Sequence, residues 1–400
     1  MKLTIRRKNM RLYKIELYKL CRKKLFSAGL VCIIAFILLV FLQHLNSAVS
    51  TVNGTKYRGY EAVMADRQIT EEFKGTLTDK KLQLIVDKYG FPQISEQSGE
   101  ITNENFLNRF VMNYASDGYL HERNDYQAAT KVLPLADSHL SEVHDFTEED
   151  IYLACFTGWD SYREWYYMCL LLVSILILYS VATVFSAEEQ IGTKPLLFTT
   201  QEGPAKDMAA KFAAAYTLSI GLWAVITLSG LLLYGMVYGW DSFSCLSTLV
   251  SGWGEPLIPF GTLLVQTYAL SLLGILELCA LTLCMSACFH SAFHSVSAAG
   301  ACWGLPLLVL PLLHGIYRVL LASSLEAPAL TIWGRILFPV HILVYASPFF
   351  MINHNTISEL DALTSGQTGR MIWITAVSAA IVTVLCAVTA YYKYRKVRIK

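Results

Sequence analysis

The residues of this 400-residue chain that invite a chemical reading first are Gly192-Thr193-Lys194, inside "EEQIGTKPLLFTTQEGPAKDMAAKF". A phosphate-binding loop needs G-x-x-x-x-G-K-[ST] between a strand and a helix, so that backbone N–H groups surround the phosphates. Lys194 has no glycine pair at that spacing, and "GPAKD" does not supply one. Nucleotide chemistry by this chain is therefore not expected. His290 and His294, in "CFHSAFHS", stand four apart, a spacing that suits two metal ligands on one helix face. No third ligand is near, so they read as solvated loop residues. Glu277, in "LLGILELCALTLC", is the one acidic residue well inside an apolar run. A carboxylate there is a functional candidate by default, and it marks a possible substrate path. The plainer alternative is a hydrogen bond to a hydroxyl of a neighbouring helix. H-E-x-x-H, G-x-S-x-G and C-x-x-C are all absent from the sequence. No catalytic residue, resident cofactor or metal is expected.

The elements that position these residues are apolar runs. Hydrophobic residues make up 54% of the chain and charged ones 16%, with mean hydropathy +0.43. A soluble domain carries about a quarter charged residues. A helix needs about 20 apolar residues to cross a bilayer. Six segments qualify: 26–45, 165–186, 211–236, 262–289, 295–321 and 371–392. The first is too long, and lacks a convincing small-x-small site, for a cleavable signal peptide. Residues 1–24 carry ten basic residues and one acidic, Glu16, and the tail 393–400 adds five basic residues. Positive charge stays inside, so both termini are expected in the cytoplasm, which six spans allow. The interval 330–351, with Arg335, Pro339, His341 and Pro348, reads as two re-entrant helices, which must pack against protein.

That orientation puts 46–164 outside. It carries 20 acidic and 11 basic residues. "DKKLQLIVDKYGF" has helical apolar spacing, and Thr78 or Asp79 is a candidate N-cap. A helix-rich extracellular domain is expected. Residues 1–25 read as a basic amphipathic interface helix, with Met10, Tyr13, Leu17, Leu20 and Cys21 on one face. Trp165, Tyr166, Trp240, Trp373, Tyr391 and Tyr392 read as interfacial anchors. Cys32, Cys169, Cys279, Cys284, Cys288, Cys302 and Cys386 lie in or beside apolar runs and read as packing residues. A bridge between Cys155 and Cys245 stays open. The fold class is an all-α polytopic membrane protein.

The stretch 187–210 then lies in the cytoplasm between two spans. It reads as a short helix, a turn at Gly203-Pro204 and a returning span. Leu196, Leu197 and Phe198 offer an apolar face to a soluble partner, with Glu188, Glu189 and Lys194 at its rim. Here a pattern emerges: F-S-x-E-x-x-x-G-T-x-x-L-L-x-T, followed by a lysine at the head of the next span. With Ser186, Glu188, Gly192, Thr193, Leu196, Leu197, Thr199 and Lys211 in place, and Glu189 as an alternative acid, it resembles the cytoplasmic loop of ABC-2 type permeases, the membrane subunits of ABC exporters. "KIELYKLCRKK" resembles that family's N-terminal helix, and the resemblance covers about 280 residues, all but the outer domain. It implies a separate ABC ATP-binding subunit gripping residues 188–210. It also implies a second permease chain, as a homo- or heterodimer, in the lipid bilayer of a bacterial cell, and no nucleic-acid partner. The alternatives are a membrane-anchored receptor or scaffold with a ligand-binding outer domain, and a secondary transporter. The latter would show inverted repeats with paired broken spans, which the sequence lacks.

Overall fold

The computed structural model describes residues 2–94, 101–122, 125–142, 151–192, 203–252, 255–320, 332–364 and 368–395. In chain order it runs α1 (Lys2–Cys21), α2 (Lys24–Ser47), β1 (Val49–Val52), β2 (Thr55–Arg58), α3 (Tyr60–Glu71), β3 (Gly75–Thr76), α4 (Asp79–Tyr89), β4 (Gln93–Ile94), β5 (Ile101–Thr102), α5 (Phe106–Tyr114), β6 (Tyr119–Glu122), β7 (Asp125–Gln127) and β8 (Tyr152–Leu153). Then come α6 (Tyr162–Val181), α7 (Ser186–Ile191), α8 (Gly203–Tyr238), α9 (Phe260–Cys288), α10 (Ala292–Leu320), α11 (Ile332–Tyr345), α12 (Pro348–Met351), α13 (Thr356–Thr364) and α14 (Thr368–Arg395).

Among the described residues six helical stretches are long and apolar enough to cross a membrane: Lys24–Ser47, Tyr162–Ile191, Ala205–Tyr238, Phe260–Cys288, Ala292–Leu313 and Gly369–Tyr394. They define a mostly helical, multi-pass membrane protein. Four of them outrun the apolar segments at both ends, where polar residues continue the helices, whereas Phe260–Cys288 and Ala292–Leu313 do so only at the start. Gly203-Pro204 opens α8 rather than forming a separate turn. A proline in the first helical turn lacks an N–H that would have no intrahelical partner anyway.

The chain divides into two compact units. The first comprises 1–37, 166–228 and 266–400. Its apolar cluster includes Leu310, Leu313, Ile342, Tyr345, Phe349, Phe350 and Leu360. All four residues of α12 are buried. At Gly274 a Cβ would come within 2.9 Å of the Met351 side chain and 3.2 Å of the Pro348 carbonyl, so α9 and α12 approach closely there. Tyr166, expected at an interface, is buried and hydrogen-bonds Thr227 at 2.9 Å and Ser271 at 3.0 Å. Its hydroxyl finds partners on facing helices and so needs no water. Tyr392 and Trp373 are exposed, as anchors would be.

The second unit comprises 38–165 and 229–265. The interval 237–261 belongs to it. Arg163 and Glu255 pair at 2.5 Å with both side chains buried, and Lys74 pairs with Asp241. Trp165, a second expected anchor, stacks on Tyr162 and meets Tyr234 inside this unit.

The insertion is mixed rather than helix-rich. Among the described residues α3, α4 and α5 share it with four two-stranded antiparallel ladders: β1-β2, β3-β8, β4-β5 and β6-β7. Asn53 and Gly54, at φ 51° and 79°, make the left-handed two-residue turn that closes β1-β2. For α4, Thr78 caps by accepting from Lys81 N–H at 3.3 Å, and Leu82, Ile85 and Tyr89 are buried along one face. Asn105 and Asn108 cap α5 reciprocally. Phe73, Leu82, Ile85, Leu107, Phe110, Val111 and Leu153 form the core. Cys155 and Cys245 are both free, buried thiols, and burial pushes each up to about 12.

Two carboxyls set a pH profile for this unit. Asp66 is buried. It accepts from Ser50 Oγ at 2.6 Å and Phe106 N–H at 3.1 Å, yet burial still pushes its pKa up to about 6. A native pKa above the unfolded one stabilises below about pH 4, and the stabilisation is lost as pH rises through 6. Asp117 behaves oppositely. Thr130 and the Lys131 N–H hold it down to about 2, so its contribution is lost as pH falls below 4. From these two groups stability should therefore peak near pH 4 and decline toward pH 6. Asp66→Asn should flatten the alkaline side and stabilise the protein near pH 7.5 by roughly 2 kcal/mol. Tryptophan-monitored unfolding of the full chain in micelles across pH measures this. An unchanged alkaline limb in the variant would refute it.

Candidate coupling site

The helix α6 stops at Val181 and the chain turns through residues 182–185 into α7. Both Phe185 N–H and Ser186 N–H donate to Ser286 Oγ near the end of α9, at 2.9 and 3.2 Å. The start of α7 is thereby pinned. Glu188 and Glu189 occupy its first turn, where carboxylates suit the positive helix end. Gly192 closes it at φ 77°, the left-handed position that caps helices, its N–H reaching the Glu188 and Glu189 carbonyls. Thr193, Lys194, Leu196, Leu197, Phe198 and Thr199 lie outside the described residues.

Glu188 faces inward. Its carboxylate meets Lys211 Nζ at 2.9 Å, and the Lys211 side chain is fully buried. Asp207, one turn before on α8, holds the same ammonium at 2.7 Å, and Glu16 of α1 stands at 3.6 Å. Lys19 bridges Glu16 at 2.5 Å and Glu188 at 3.9 Å. Tyr394, near the end of α14, donates to Asp207 at 2.9 Å and Glu188 at 3.4 Å. One ammonium thus gathers three carboxylates from three helices, and a phenol from a fourth closes the set. The Tyr394 ring also packs on Phe185 at 4.6 Å. A buried charge survives only when paired and hydrogen-bonded. Lys211 meets that condition, but it lies behind the surface and is not presented to a partner.

The cluster shows why the amphipathic reading of α1 needs correction. Leu20 is buried and Tyr13 and Leu17 half-buried, as the apolar face requires, but Cys21 is exposed and Glu16 is buried. The face turned to the protein includes a carboxylate because Lys211 awaits it. Lys23 extends the attachment, donating to the Ser180 carbonyl at 2.8 Å and to Thr183 Oγ1.

Glu189 points elsewhere and pairs with His290 at 2.7 Å, across to the α9–α10 connection. His290 itself is largely exposed. The His294 ring meets that of its neighbour Phe293 at 5.8 Å, edge to face. Among the described residues no group of three or more potential metal ligands occurs. Glu277 is buried on α9, and its Oε2 has no hydrogen-bond partner among the described residues. The expected hydroxyl bond is not made by that oxygen.

The set brings together Glu188 and Lys211 from the sequence reading, leaves Glu189 on another contact, and adds Glu16, Asp207 and Tyr394. The i, i+4 spacing of Asp207 and Lys211 was a visible signal, as was Glu16, alone among ten basic residues. Tyr394 gave none. The set is a clasp that joins four helices around one buried ammonium.

The chain matches no protein-family model, no curated protein and no solved structure.

Proposed function

We propose that this chain is the permease subunit of an ABC exporter, with residues 188–210 as the coupling segment gripped by a separate ATP-binding subunit. The observation that carries the reading is the Lys211 clasp. It ties α7, directly before the segment 193–202, to α1, to the head of α8 and to the end of α14. A push on α7 would be felt by all of them, as a coupling lever requires. Glu188, Glu189, Gly192, Thr193, Leu196, Leu197 and Phe198 form the gripped element, with Lys211 as its internal anchor. Both termini then lie in the cytoplasm, α11 and α12 form the re-entrant piece, and two permease chains enclose the path. Glu277, with an unbonded carboxylate oxygen inside an apolar helix, is the residue assigned to that path.

Leu197→Asp tests the reading by placing a charge in the apolar contact. Copurification with the ATP-binding subunit encoded beside it should fall at least tenfold, with melting of the permease unchanged. Full retention of the complex and of transport would overturn the proposal.

A further inference from the structure

The second unit contains a cavity of about 860 Å³ that the coupling function leaves unused. That is within the usual size of a small-molecule site, roughly 300–1,000 Å³. One wall is aromatic. Phe106 and Phe156 meet edge-on at 4.8 Å, Phe110 and Tyr114 lie 5.1 Å apart, and Phe110 reaches Phe156 at 6.2 Å. The lining also carries Asp66, Glu104 and Asp160, together with Arg109 and His44.

The charges do not cancel. Arg109 is engaged by Glu104 at 2.9 Å. His44 shares a hydrogen bond with Ser161 at 2.9 Å. Asp66 is buried, with Ser50 and Phe106 both donating to its Oδ1. Asp160 is different. Its side chain is exposed to the cavity although protein surrounds it closely, and that enclosure raises its pKa. Ser161 N–H and Oγ both donate to Oδ1, at 2.8 and 3.4 Å, leaving Oδ2 without a donor among the described residues. Tyr114 stands near enough that, after burial, the Asp160 charge contributes to raising its phenol to about 12. A carboxylate oxygen without a donor, beside aromatic faces, in a chamber of ligand size, is the combination that recognises organic cations.

We propose that this cavity binds a small organic cation, an amine or quaternary onium on an apolar body, with the charge at Asp160 and the body against Phe110, Tyr114 and Phe156. The site stands on the geometry of this unit alone and does not depend on the permease reading, so either can fail without the other.

The test is equilibrium dialysis of radiolabelled tetraphenylphosphonium against the full-length protein in micelles, with empty micelles as blank. Tetraphenylborate, of the same shape and opposite charge, is the control. Saturable binding near one per chain is expected for the cation and not for the borate. Asp160→Asn should weaken it at least tenfold. Ser47→Trp, at an exposed residue on the cavity rim, should block it by filling space. Unchanged melting temperatures show that both variants are folded. Equal saturable binding of the borate, binding indifferent to both substitutions, or no saturable binding of the cation would overturn the proposal.

Discussion

Replacing Lys211 by methionine is expected to destabilise the protein by about 3–5 kcal/mol, because three carboxylates lose their common cation. Methionine fills much of the volume, so packing is not the cause. Asp207, Glu188 and Glu16 lie within 2.7–3.6 Å of the ammonium, and Tyr394 and Lys19 cannot neutralise all three. A triple variant, Lys211→Met with Glu16→Gln and Glu188→Gln, should recover more than half of the loss, since it removes two of the three stranded charges and leaves Asp207 its bond from Tyr394. Equilibrium unfolding in mixed micelles reads both. If the triple variant is no more stable than the single one, charge is not what the site is about, and the clasp reading fails.

Trp159→Ala should be comparably damaging, at about 3–5 kcal/mol, for an apolar reason. Trp159 is fully buried. Its ring meets Tyr162 at 5.0 Å, Phe243 at 5.0 Å, Tyr234 at 5.8 Å and Phe260 at 5.9 Å, and Nε1–H donates to the Gly239 carbonyl at 2.9 Å. These neighbours come from the start of α6, the end of α8, the start of α9 and the connection between α8 and α9. None can collapse into the void without leaving its own helix. Trp159→Phe keeps part of the ring and loses the hydrogen bond, and should cost about half as much. An alanine variant within about 1 kcal/mol of the parent protein would show that the aromatic set repacks freely.

Most of the membrane-crossing architecture was legible in the chain. Runs such as "LLLVSILILYSV" carry it by length and apolar content, and bilayer thickness leaves little freedom in reading them. The N-cap at Thr78 and the apolar face of α4 were equally open to reading, because both are local. The ladders of the insertion were not. Four of the eight strands are two residues long, and two residues have no periodicity to detect. Trp165 and Tyr166 misled for another reason. An aromatic residue near the end of a span suits both an interface and a packed helix contact, and only the presence of Tyr234, Thr227 and Ser271 nearby decides. The clasp lies between these extremes. Asp207 and Lys211 announce a helical pair, whereas Glu16 and Tyr394 join from 191 residues before and 187 residues after Asp207.

That separation has a consequence for the order in which the molecule is made. Ribosomes add about 5–20 residues each second, and elements dock as they emerge. Glu16 is synthesised early, its cation only at position 211, and the phenol that completes the set at 394. Until α8 is made, Glu16 has Lys19 of its own helix as its partner, at 2.5 Å in the finished protein. Docking on Lys211 is deferred until α8 exists, and the seal waits for the end of α14. The contact that ties these helices in the finished protein is thus assembled in steps, as its distant parts are made.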